Sequence, residues 1–493
     1  MDYSQFLIMK QEIGLLAVFL IVFLADTFLP RREQGSIGVI SCIFFAAFTV
    51  LGFVPGVTEL GCVPGVAGER VVAFSGMYEA TWPVINIKNI LNVGVLIVMI
   101  QALRWADQDM VRIRRGEFYE LLLVTLLGMY FMISARHFLM FVIGLETASL
   151  PLAAMVAFDK HRYESREAAV KYILTAVFSS AIFMMGISYV YALSGSLYFS
   201  DIAIAVWSES HSALLVCALA FVIAGIGFKL SLVPFHLWTA DVYQGAPTPV
   251  TSYLSVISKG AAAFAFLAVL WQAFGTVYPQ AWEWMLYALI ILTITVGNLF
   301  AMRQKNMKRF LAFSSISQAG YIMLGIIAFN PMGLAALMFY VLVYIFSNLA
   351  AFGVIGAIEN ASGKVWMDDY KGLYRTNPRL AFTMMLAMFS LAGIPPFAGF
   401  FSKFFIFTGA IAQGTVAIYV LVLIALINTI ISLYYYLLVV KAMFISQDDC
   451  VIAPFRSACS ERFALWVCVA GIVFLGIVSF VYNTLLEGTI MSF

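Results

Sequence analysis

Five ionisable side chains stand inside long apolar runs of this chain: Glu146 in FVIGLETASLPL, Lys171, Lys229 in GIGFKLSLVPFHLW, Lys259 and Lys403. All four bases are lysines and none is arginine. A buried lysine can lose its proton, whereas an arginine keeps its charge. A lysine at the centre of a membrane helix disfavours insertion by roughly 2.5–3.5 kcal/mol, so a repeated one suggests function. The chemistry open to such a set is reversible proton binding away from bulk water, with a carboxylate nearby to favour the charged form. Inert readings stand beside it. Lys171 lies only a few residues into its run and can snorkel to the interface. Glu146 can pair with Lys171 on the next helix as glue, or the two can titrate. His236 serves either as a proton relay or as a plain helix-end histidine, and Asp241 reads as a cap or turn residue.

Prolines accompany the lysines. LVPFHLWTADVY and GIPPFAGFFSKF both set a Pro-Phe pair inside a long apolar segment. Pro234, Pro395 and Pro396 would each break a helix and free carbonyls that need protein or water as partners. Five spans lie between the two copies, an odd number, so they run in opposite senses across the membrane. Inverted repeats with broken helices mark transporters.

These residues need a membrane scaffold, and the composition supplies one. The 493 residues are 63% hydrophobic and 11% charged, where a soluble chain would have about 25% charged residues. Fourteen apolar spans are predicted at 12–30, 37–54, 86–103, 118–135, 137–157, 168–193, 212–238, 248–273, 281–302, 310–330, 333–358, 380–410, 416–440 and 464–486. Each suits a hydrocarbon layer that takes about 20 helical residues. Of 28 Lys and Arg, twenty fall in alternate loops, and Lys10, Arg70, Lys88 and Arg136 are assigned to the opposite side. The remaining four are the lysines inside spans. The positive-inside rule then puts the basic loops in the cytoplasm and both termini in the periplasm.

Other chemistries are excluded. A net charge of +2 suggests no nucleic-acid partner. Cys42, Cys62, Cys217, Cys450, Cys459 and Cys468 are scattered, form no CxxC, and predict no metal or redox site. GIGF misses the dinucleotide pattern GxGxxG. The start MDYSQFLIMKQEIGLLAVFL lacks signal-peptide and transit-peptide features, so a retained first span in a bacterial plasma membrane is expected.

The stretches DVYQGAPTPVTSYLSVISKGAAAF, GFKLSLVPFHLW, LFAMRQKNMKRFLAFSSISQAGYIMLG and LAGIPPFAGFFSKFFIF closely resemble the antiporter-like subunits of proton-pumping NADH:quinone oxidoreductase, respiratory complex I. The motifs cover residues 118 to 445. The resemblance implies an all-α membrane fold of about fourteen transmembrane helices, with two inverted five-helix repeats whose helices 7 and 12 are broken. Residues 1–117 would hold helices 1–3, 118–273 the first repeat, 281–443 the second, and 464–493 the last helix. It also implies that Glu146, Lys171, Lys229, Lys259 and Lys403 carry protons. M-type members typically have glutamate where Lys403 stands, and L-type members have a long C-terminal extension, so the N-type pattern fits best. The implied function couples quinone reduction to proton pumping. The implied partners are subunits K and M, J, and the lateral helix of L, with NAD, FMN, iron–sulfur clusters and quinone on other subunits and no cofactor here. A Mrp-type cation/proton antiporter subunit, an equivalent subunit of a ferredoxin- or deazaflavin-dependent complex, and a passive subunit whose charges only glue helices remain as alternatives.

Overall fold

The computed structural model describes residues 3–29, 34–54, 71–108, 111–208, 213–275, 279–445 and 451–492. Arg31, Arg32, Arg70, Cys62 and Cys450 lie outside the described residues.

In lipid every backbone polar group must find its partner inside the segment, so the apolar runs become helices. In chain order these are α1 (Lys10–Phe28), α2 (Ile37–Gly52), α3 (Trp82–Ala106), α4 (Arg115–Ser134), α5 (Phe138–Val156), α6 (Tyr163–Ser194), α7 (Phe199–Ser208), α8 (Ala213–Leu230), α9 (Leu237–Gly245), α10 (Thr248–Phe274), α11 (Pro279–Ala301), α12 (Met307–Ile327), α13 (Pro331–Ser362), α14 (Pro378–Ala392), α15 (Ala398–Ile411), α16 (Val416–Ile445), α17 (Cys459–Ile477) and α18 (Phe480–Ser492). Twelve are long and apolar enough to cross a membrane among the described residues. The shorter α2 and the broken pair α14/α15 fill the other two of the fourteen expected positions.

Local chemistry sets the ends. Asn306 and Asn330 cap α12 and α13 with side chains that accept from Lys308 N, Arg309 N and Gly333 N. Close packing sets the neighbours. A Cβ on Gly144 of α5 would lie 2.7 Å from the Gly128 carbonyl of α4, so these helices touch backbone to backbone. α12 is wholly buried and α10 nearly so, while α1, α6 and α16 are mostly turned outward. The centre of the bundle is therefore shielded from lipid.

The two breaks run in opposite senses. α8 leads into α9, whose Asp241 meets Lys171 and Arg309 on the basic face. α14 starts on that face, where Asn377 donates to the Ala453 carbonyl, and α15 ends on the other, where Asn330 donates to Gly409 O. The opposite face gathers the Val71–Ala73/Tyr78–Ala80 hairpin, Gln5, and the end of α18.

The break expected at Pro234 is present: the 212–238 span is α8 followed by an irregular turn and then α9, with Ser231 at φ +60. Other expectations need correction. The 464–486 span is two helices, α17 and α18, parted at an extended Val478. Gly476 explains the place. It packs on the backbone of Pro396–Ala398 at the α14/α15 break, where a Cβ would sit 2.8 Å from Ala398 N. α7 and the small hairpin were not anticipated.

Candidate functional site

Lys229 ends α8, 7% exposed. Its ammonium donates to Ser149 Oγ of α5, and Tyr172 OH lies 3.4 Å away. The broken turn behind it is held by Trp238 Nε1 donating to Phe228 O at 3.2 Å and by Val233 N donating to Thr293 Oγ1 at 3.0 Å. Glu146 lies one helical turn before Ser149, so both face the same side of α5. It shares with Ser149, which accepts from Lys229, the face of α5 that meets α8. Its Oε1 is buried with no hydrogen-bond partner among the described residues.

Lys259 follows a π-helical turn, Leu254–Ser258, in α10. Such widened turns recur at functional sites. The lysine is 1% exposed, donates to Ser315 Oγ of α12, and lies 5.6 Å from the Tyr243 ring centre. Lys403, in α15, reaches back across the second break to the carbonyls of Leu391 and Ala392 at 3.0 and 3.1 Å. Gly393 between them has φ +88, and a side chain there would press on Lys403.

Polar groups join these stations. Ser314 and Tyr436 share a 2.5 Å hydrogen bond, Gln318 donates to Tyr436 at 3.1 Å, and Tyr340 donates to Gln318. A cavity of about 10 Å³ lies among Gln318, Tyr340, Tyr344, Ser402 and Lys403, roughly the room one water needs. Hydrogen bonds thus lead from α12, whose Ser315 accepts from Lys259 and whose Ser314 meets Tyr436, through Gln318 to the Leu391 carbonyl that Lys403 also binds.

Two kinds of buried cation coexist. Lys88 pairs with Glu12 at 2.5 Å and Arg136 with Glu79 at 2.9 Å, all nearly inaccessible. Lys229, Lys259 and Lys403 have no carboxylate within ion-pair distance among the described residues and rest on hydroxyls or carbonyls. Lys88, near the start of α3, and Arg136, in the α4–α5 connection, both lie by the hairpin on the face opposite the basic loops, but they are buried there because partners on other elements neutralise them.

The structure does not bring Lys171 to Glu146. α6 starts at Tyr163, so Lys171 is only two turns in and 42% exposed, paired at 2.7 Å with both Glu167 and Asp241. Asp241 is not a turn residue. It lies in α9 and also binds Arg309 at 2.6 Å. His236 is buried at the start of α9, with Nδ1 unpartnered among the described residues. Pro234, Pro395 and Pro396 all lie in the two breaks. The hydroxyl and amide stations were missed, because Ser, Tyr and Gln in apolar runs are common. Ser149, three residues after Glu146, was the one readable by spacing.

Residues 135–432 match the family described as NADH:quinone oxidoreductase/Mrp antiporter, TM. The chain belongs to the NADH:quinone oxidoreductase/Mrp antiporter family. The matched region of this family member contains Glu146 and all four intramembrane lysines. An NADH-quinone oxidoreductase subunit N from Phocaeicola vulgatus is 51% identical over 492 residues, covering 100% of each chain. One from Azobacteroides pseudotrichonymphae is 50% identical over 485 residues, covering 98% of each. A chain of respiratory complex I from Thermus thermophilus, solved with bound aureothin, superposes with a TM-score of 0.76 at 31% identity, over 95% of this chain and 97% of that one. A chain of the Mrp complex from Dietzia sp. DQ12-45-1b gives 0.82 at 21% identity, over 100% and 97%, a likeness of fold.

Proposed function

We propose that this chain is the proton-translocating N-type subunit in the membrane arm of an NADH:quinone oxidoreductase, passing protons along Glu146, Lys229, Lys259 and Lys403. The observation that carries this reading is the absence of an ion pair at Lys229, Lys259 and Lys403 among the described residues, where the buried Lys88 and Lys308 each have one. Charges that serve only as glue come as pairs, since an unpaired buried charge is destabilising by several kcal/mol. A lysine resting on a hydroxyl or a carbonyl can instead exist as ammonium or as amine. Moving or screening the Glu146 charge changes how tightly Lys229 holds its proton. The proton then passes toward Lys259, and the Ser314–Tyr436–Gln318 group offers relay hydroxyls toward Lys403. Lys171, with Asp241 and Arg309, forms a charged rim on the basic face that collects protons, and His236 relays from there.

On this reading the basic face is cytoplasmic in a bacterial plasma membrane and both termini are periplasmic. Subunits K and M flank the chain, and J and the lateral helix of L also contact the arm. NAD, FMN, iron–sulfur clusters and quinone are handled by other subunits, and this chain takes part in the enzyme as a translocase. Purification in mild detergent tests the assignment. Co-migration with iron–sulfur subunits is expected. Migration alone or with antiporter subunits only would replace it with the Mrp-type reading.

A further inference from the structure

A cavity of about 900 Å³ opens on the basic face between the first turns of α14 and α17. Arg379, Arg456 and Arg462 line it. None of the three has a carboxylate partner among the described residues. Arg462 Nε is buried there with no hydrogen-bond acceptor among the described residues. The nearest acid in sequence, Glu461, is committed elsewhere: Oε1 accepts from Asn360 and Oε2 from Ala458 N. Asn377 holds the overlying segment in place, donating to Ala453 O and accepting from Phe455 N at 3.2 Å each.

The lining has a direction. On α14, Phe382 and Leu386 lie three and seven residues beyond Arg379. On α17, Trp466 and Val469 lie four and seven beyond Arg462. Both helices thus carry an arginine at the mouth and an apolar stripe on the same face, reaching roughly 10 Å deeper into the membrane. Phe382 is 46% and Trp466 68% exposed. The N-terminal ends of both helices, their electropositive ends, also converge here.

We propose that this cavity is a binding site for an anionic phospholipid, with the phosphate held by Arg379, Arg456 and Arg462 and an acyl chain lying along Phe382, Leu386 and Trp466. Charge and form both select it. A phosphate accepts guanidinium hydrogen bonds in a fork geometry. Basic pockets between helices on the cytoplasmic side suit anionic head groups. The apolar stripe below offers nothing to a free anion.

The assembled complex, purified with the wild-type chain, is exchanged into mixed micelles of phosphatidylglycerol, cardiolipin and phosphatidylcholine, and retained lipid is measured by native mass spectrometry. The wild type should retain about one anionic lipid more than the triple variant Arg379→Gln, Arg456→Gln, Arg462→Gln, with no difference in phosphatidylcholine. Leu386→Trp, which fills the stripe and keeps every charge, should lose the same lipid, and it decides the matter if the triple variant does not assemble. Equal anionic lipid in wild type and Leu386→Trp would overturn the proposal. So would displacement by excess inorganic phosphate, which would mark a simple anion site. A photoreactive group at Phe382 that labels a neighbouring subunit and no lipid would overturn it as well, by making the cavity a protein interface.

Discussion

Lys229→Arg separates a proton carrier from a fixed charge. The substitution keeps the positive charge, and a guanidinium has donors for both Ser149 Oγ and Tyr172 OH, the two oxygens facing Lys229. If Lys229 only holds α8 to α5, the variant should pump nearly as well as the wild type. If Lys229 must shed its proton each cycle, the outcome follows from side-chain chemistry. The ordinary value is about 10.4 for lysine and roughly 2–3 units higher for arginine, so in a shared environment the deprotonated share falls about 100- to 1000-fold. That is roughly 3–4 kcal/mol on an obligatory step, enough to take turnover below detection. The assay uses assembled complex in sealed vesicles, with quinone-coupled proton uptake measured beside NADH oxidation by an artificial acceptor. The acceptor rate should hold and the uptake should vanish. Assembly is checked by native gel, because arginine is bulkier. Uptake within twofold of wild type, in a fully assembled complex, would refute the carrier role.

Other outcomes follow from the same geometry. Glu146→Gln keeps the shape but removes a buried charge on the face of α5 that meets Lys229, so pumping and coupled turnover should fall together; vesicle pumping measures it, and normal rates would make Glu146 a packing residue. Lys403→Ala should leave the complex assembled and its proton-to-electron ratio lowered, read in reconstituted vesicles. Lys88→Met should destabilise the chain by about 3–5 kcal/mol because it strands Glu12, and adding Glu12→Gln should recover most of that in a detergent-denaturation cycle. A cysteine at Met491, exposed near the end of α18, should react with an impermeant maleimide from the periplasmic side; reaction only after lysis of the inner membrane would reverse the orientation.

The sequence carried the lysines and the prolines plainly, because a charge or a helix breaker in an apolar run has few explanations. What it could not separate was a buried ion pair from a loop charge. Lys88 sits near the start of its span, as a snorkelling residue would. Only its meeting with Glu12 from another helix reveals that it is inside. Lys171 could be read either way from the sequence, and what settles it at the rim is its pairing with Glu167 and Asp241, the second of which comes from another helix. The break at Val478 was also hidden, since the backbone that imposes it belongs to Pro396–Ala398, far away in sequence. Apart from Ser149, three residues after Glu146, the buried hydroxyls gave no signal, because single serines and tyrosines carry no spacing pattern of their own.

The two breaks differ in what closes their helix ends. Phe228 O of α8 is held by the Trp238 indole, a neutral donor that never titrates. The last carbonyls of α14 are held by Lys403 itself. A helix C-terminus bears a partial negative charge and is stabilised by a cation beside it. If Lys403 gives up its proton in the proposed relay, α14 would therefore lose its cationic cap and keep at most a weaker amine contact. The occupancy of one site is felt as tension at the end of one half-helix, without a separate transmitter. At the first break Lys229 lies in the last turn of α8 but donates to Ser149 of α5 rather than to the carbonyls of its own helix, so on the proposed reading the two breaks would differ in what loss of a proton releases: a contact between helices at the first, a helix end at the second.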